Sequence, residues 1–195
     1  MPDKKRVKIE RERSVIAYSE FWHASWCLFE QGKSQERGRY YQFMASLTFT
    51  AFTFEAYLNH LGVRLFKPNT WNGVERLNPI SKLNAIAEEL DLSIDFSQRP
   101  WQTLKKLFSF RNNMAHGKSI SLKHEETIPL GEYCGFSPGG FLQTEWETFC
   151  SLENAERARS DVESIIRIIH EKRGDEEDFP FNGGHELRGA SLIDD

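Results

Sequence analysis

Arg111 and His116, the ends of "RNNMAH", place a permanent cation and a titratable imidazole a few residues apart. A guanidinium stays charged in every folded setting and grips a phosphate through two parallel N–H donors. An imidazole titrates near pH 6.5 when unperturbed and so moves protons close to neutrality. Together the two side chains suit chemistry at a phosphate: charge stabilisation from one, proton transfer from the other. Each also has a purely structural reading. Arg111 can pair with Glu55, the only formally charged residue between 40 and 63, and His116 can rest on the last carbonyls of a helix.

The helix that must carry them starts near Pro100 and stops at Gly117, with Leu104, Leu107, Phe108, Arg111 and Met114 or Ala115 on one stripe. Trp101 and Phe110 read as core, with base stacking as the alternative. From Phe96 to His124 no Asp or Glu occurs, while Arg99, Lys105, Lys106, Arg111, Lys118 and Lys123 all do. The surroundings of the pair are therefore locally cationic, and Lys105, Lys106, Lys118 and Lys123 are candidates to steer a polyanion toward it. Their plain alternative is a solvated face. On an ideal helix five residues turn about 500°, so Arg111 and His116 project about 140° apart. They converge only if the helix ends at Ala115 or a second group faces them.

Four further helices are predicted. Residues 14–32 space Val15, Tyr18, Trp22, Trp26 and Phe29 at three and four, with Ser14 as cap and Gly32 as stop. Residues 36–65 are apolar almost all round, as in a helix packed on several sides. A loop is expected over 67–79, then a helix from Pro79 to about Leu90. After an irregular excursion with a short hairpin at 118–145, a last helix covers 146–173 with Leu152, Ala155, Val162, Ile165, Ile166 and Ile169 inward. Residues 1–13 read as a charged arm, frayed or flexible, and 174–195 as an acidic tail. The fold class is all-α, with one domain over 14–173.

Composition narrows the function classes. At 195 residues, 39% hydrophobic, 13% aromatic and 28% charged, the chain has the make-up of a globular domain. A net charge of −4 disfavours a protein that coats nucleic acid over its whole surface. The apolar run 40–62 carries Gln42, Ser46, Glu55, Asn59 and His60, which favours a core helix over a membrane span. The charged start has no apolar h-region, so a cytoplasmic protein is expected. Cys27, Cys134 and Cys150 are odd in number and without a C-x-x-C, which suggests reduced, partly buried thiols. His116, His124, Cys134 and Cys150 match no recurrent zinc spacing, and no G-x-x-x-x-G-K-[ST] loop is present. Neither a metal nor a cofactor is expected.

Arg111, then Asn112, then His116 after four intervening residues resembles the R-x(4-6)-H motif of HEPN domains, small helical domains of bacterial toxins, abortive-infection proteins and RNA-processing enzymes. "FEAYLNHLG" is similar to the Glu-containing second helix that packs behind that motif, and the likeness spans roughly 14–172. It implies an antiparallel bundle of about five helices with an irregular insertion before the last. It also implies Arg111 and His116 as catalytic residues, with Asn112 and Glu55 supporting. HEPN nucleases pair two domains so that both motifs line one cleft, which would supply two imidazoles. The implied reaction is metal-independent RNA cleavage: the ribose 2'-hydroxyl attacks the adjacent phosphate, leaving a 2',3'-cyclic phosphate and a 5'-hydroxyl. Expected partners are RNA or a nucleotide, a second copy of the chain and, in a toxin role, an antitoxin protein; no membrane is implied. Some family toxins carry a modifiable Tyr two positions after the His, where this chain has Lys118. A non-catalytic HEPN-like dimerisation or binding module, and an unrelated helical protein, are the competing readings.

Overall fold

The computed structural model describes residues 6–132, 141–174, 180–182 and 186–193. The chain is mostly helical. Its central element is α2 (Arg39–Leu65), whose Phe43, Leu47, Phe54, Leu58 and Leu61 are all buried, and α1 (Ala17–Ser34) lies against it. A short α3 (Pro68–Val74) precedes α4 (Pro79–Glu89), α5 (Trp101–His116), a single 3-10 turn at Leu130–Glu132, α6 (Glu145–Phe149) and α7 (Leu152–Arg173). Helices α4, α5 and α7 all pack on α2, so one core runs through Leu83, Ile86, Leu104, Leu107, Ile165, Ile166 and Ile169.

Several boundaries differ from the sequence expectation for identifiable reasons. Gly32 does not stop α1. It lies inside the helix, where a Cβ would sit 2.7 Å from the Phe43 ring, so its smallness serves the approach of α1 to α2. The N-cap of α1 is Ile16 without a side-chain bond, not Ser14. Val15 and Trp26 are exposed, and the inward residues are Tyr18, Ser25 and Phe29. The loop expected over 67–79 contains α3, because Pro68 opens a turn that sends Trp71 into the core, stacked on Phe66 at 6.0 Å. On α2, Phe52 is exposed and forms a surface aromatic patch with Phe21 and Phe49.

The last helix is two. A capping box, Thr144 with Glu147, starts α6, and Ser151 caps α7 by accepting from the Asn154 N–H at 3.2 Å. The break leaves Leu152 exposed rather than inward. Cys150 lies buried at the break, where burial pushes its thiol up to about 11, whereas Cys27 is exposed, not partly buried. Cys134 and most of the expected hairpin lie outside the described residues.

The largest correction concerns the termini. Residues expected as a loose arm and an aperiodic tail form β1 (Arg6–Arg13) and β2 (Glu186–Ile193), an antiparallel pair in register from Arg6 opposite Ile193 to Arg13 opposite Glu186. The ribbon's described side chains all face solvent, Val7 and Ile9 included, so its short apolar alternation packs on no described core. The all-α expectation therefore needs this ribbon added, and the described helices number seven rather than five.

Candidate functional site

Helix α5 is built as its pattern predicts. Leu104, Leu107, Phe108 and Phe110 are buried, Arg111 and Met114 are half-buried, and Gly117 ends the helix in the left-handed region at φ 30°. Trp101 and Phe110 are core residues, the latter against the Phe149 ring at 5.5 Å, which leaves neither face free for a base. The start of α5 is fastened to α7. Asp161, buried, accepts from Arg99 Nη2 at 2.7 Å and from Thr103 Oγ1 at 2.5 Å.

Arg111 reaches α2. Its Nη2 donates to Glu55 Oε2 in an ion pair, and its Nη1 donates to Asn112 Oδ1 at 3.0 Å. The two charged side chains are 19% and 25% exposed. Behind them Lys82 of α4, whose side chain is only 4% exposed, places Nζ 3.8 Å from Glu55 Oε1 and donates to Asn59 Oδ1 at 2.8 Å. One carboxylate thus serves two cations, leaving the cluster with an excess of one positive charge. The Arg111 Nε is buried with no hydrogen-bond partner, one donor short of satisfaction. Lys82 and Asn59 were not picked out from the sequence. The signal that exposed Arg111 applied equally to Lys82, a cation in register with Leu83, Ile86 and Ala87.

His116 is the last residue of α5 and is exposed, and its imidazole makes no hydrogen bond or ion pair among the described residues. Because the helix continues through it, the 140° separation from Arg111 stands and one chain does not bring the two together. Helical geometry at about 100° per residue instead puts His116 on the face of Lys105, Ser109 and Asn112, all exposed. Asn112 links the two sides, since it holds Arg111 from the face that His116 occupies.

The steering lysines disperse. Lys105 lies over the Phe96 ring at 5.3 Å, and Lys106 lines a cavity of about 500 Å3 with Ser109, Phe110, Asn113, Trp146 and Phe149. Lys118 borders a separate cavity of about 370 Å3, and Lys123 stands exposed in the irregular segment that follows. Among the described residues no three His, Cys, Asp or Glu side chains are grouped as a metal set would be. No helix in the described residues is long and apolar enough to cross a membrane. The chain matches no protein-family model, no curated protein and no solved structure.

Proposed function

We propose that the protein is a metal-independent endoribonuclease of HEPN type that works as a homodimer, in the cytoplasm, in a toxin–antitoxin or phage-defence setting. The observation that supports this most is His116: an unengaged imidazole at the open end of α5, sharing its face with Lys105 and Asn112. Phosphodiester cleavage by the 2'-hydroxyl needs a base for the nucleophile and an acid for the leaving oxygen. With one motif imidazole per chain, two chains facing each other through this end supply both. Arg111 stabilises charge on the phosphoryl oxygens, and RNA is selected because the nucleophile is its own hydroxyl. Glu55 keeps Lys82 on its other oxygen, so Arg111 can turn toward a phosphate without leaving the carboxylate bare.

The second reading, a non-catalytic HEPN-like dimerisation or RNA-binding module, is favoured by the engagement of Arg111 with Glu55 and Asn112, which gives the guanidinium a structural role already. The two part on one experiment. RNA is incubated in excess EDTA with wild type, His116→Ala and Arg111→Ala, product ends are assigned, and self-association is measured by sedimentation. The nuclease reading expects a dimer, cyclic-phosphate ends and a loss of about 100-fold in each variant. Equal cleavage by all three proteins, or a strict monomer, would overturn it; a dimer that binds RNA without cutting it would establish the module.

A further inference from the structure

A second site lies on the opposite pairing of the bundle, between α1 and α7, and owes nothing to the α5 motif. Arg159 of α7 is only 9% exposed, yet among the described residues no carboxylate lies within ion-pair distance of it. The two acids that act on it, Glu163 and Glu30, are already bonded to Arg167 and Lys33. Burial depresses its pKa to about 10, the mark of a cation held away from water without a full counter-charge.

What holds the guanidinium is neutral. Its Nη1 donates to Ser25 Oγ at 2.7 Å and to the Trp22 carbonyl at 3.4 Å, and the group lies 3.9 Å from the Trp22 ring centroid. Ser25 is itself fixed by Thr50 at 2.7 Å and Ser46, both buried on α2. The cation is thereby locked in position with donor capacity left over, since a guanidinium carries five N–H groups and only Nη1 is used among the described bonds. It borders a cavity of about 440 Å3, within the range of small-ligand pockets.

The other walls come from one face of α1. Ser19, Trp22, His23 and Trp26 follow the i, i+3, i+4, i+7 rule over about 10 Å of helix, and Phe181 closes the far side against Trp22. The Trp22 ring is taken by Arg159 and Phe181. Trp26 is not: it is 48% exposed, and its ring contact among the described residues is with His23 at 5.7 Å. Glu20, also on the wall and exposed, can accept from a hydroxyl.

We propose that this cavity binds a nucleoside monophosphate, with the phosphate on Arg159, the base against Trp26 and His23, and a ribose hydroxyl at Glu20. A buried, pre-positioned guanidinium matches a phosphate's oxygens, and an exposed indole offers a stacking surface to any base. Calorimetric titration with AMP, adenosine and inorganic phosphate tests it, using wild type, Arg159→Met, Trp26→Ala and His116→Ala. AMP is expected to bind wild type and His116→Ala alike, with a Kd of about 100 μM or tighter. Arg159→Met should weaken it about tenfold or more, and Trp26→Ala, a surface change that leaves folding intact, about fivefold. Adenosine or phosphate binding as tightly as AMP would overturn the assignment, as would no saturable heat or an affinity indifferent to both pocket variants. Loss in His116→Ala would also overturn it, by placing AMP at α5 instead.

Discussion

Two guanidiniums lie in the interior of one helical bundle under opposite conditions. Arg111 meets a carboxylate that a second cation also holds, and it retains a fifth of its exposure. Arg159 is more deeply buried and, among the described residues, meets a hydroxyl, a carbonyl and the rings of Trp22 and Phe29 but no carboxylate. The contrast shows how the two halves of α2 differ. Near Glu55 the helix supplies charge, so the cluster is built from mutual attraction; near Ser46 and Thr50, nine and five residues earlier, it supplies only hydroxyls. A pair that neutralises itself has a reason to persist in stability alone. A lone buried cation costs free energy in the unliganded chain, and its retention points to something that arrives.

The strongest way to break this contrast is to take away the carboxylate. Glu55→Ala leaves Lys82, almost wholly buried, with Asn59 as its hydrogen-bond partner among the described residues, and leaves Arg111 with Asn112. Removing one partner from such a cluster is expected to cost about 3 kcal/mol, read as a lower urea midpoint at unchanged slope. Lys82→Met in the same background should recover much of that loss, because it removes the charge that Glu55→Ala strands. If Glu55→Ala costs less than a typical surface change, the Glu55 cluster is not electrostatically coupled and the contrast with Arg159 fails.

How far the sequence told this story depends on the range of the contact. Helix α5, its buried stripe and its Gly117 stop were legible because capping and amphipathicity are written within a few turns. The Glu55 partner of Arg111 was legible because a single acid stood in a long charge-free stretch. Lys82 was hidden in α4, where three apolar neighbours drew attention away from it. The β1–β2 ribbon was illegible for a different reason: its pairing joins residues about 180 positions apart, and its one short alternation, Val7 and Ile9, faces solvent. Arg159 was unreadable because "NAERARSD" offers acids on both sides of it, and only the fold shows that none of them bonds to it.

A second comparison sharpens the point by treating the two arginines identically. Arg111→Met leaves Glu55 a cation in Lys82 but removes an ion pair in partial contact with water, an expected loss of about 1–2 kcal/mol. Arg159→Met keeps the apolar stem against Trp22 and removes a charge with no carboxylate to strand among the described residues, so its expected effect lies within about 1 kcal/mol of zero in either direction. Urea denaturation of the two variants beside wild type decides between them. An Arg159→Met variant less stable than Arg111→Met would mean that the hydroxyl network, rather than a ligand, is why Arg159 is retained.

The smallest effect is a titration, and its sign is fixed by where the proton sits. In the fold the Arg159 pKa falls to about 10 because burial outweighs the pull of Glu163, Glu30 and Cys27, while in the unfolded chain arginine keeps its proton well above that. Above about pH 10 the unfolded state therefore binds more protons at this group, so its contribution to stability rises with pH; below about pH 10 it is flat. The difference in unfolding free energy between wild type and Arg159→Met should accordingly run level from neutrality and turn in favour of wild type on the alkaline side. Taking the difference cancels groups common to both proteins, such as Cys150, whose raised pKa acts in the opposite direction from about pH 9 upward. A difference that stays level across that range would mean that Arg159 is not held short of counter-charge, and one reason for treating the α1–α7 cavity as a site would go with it.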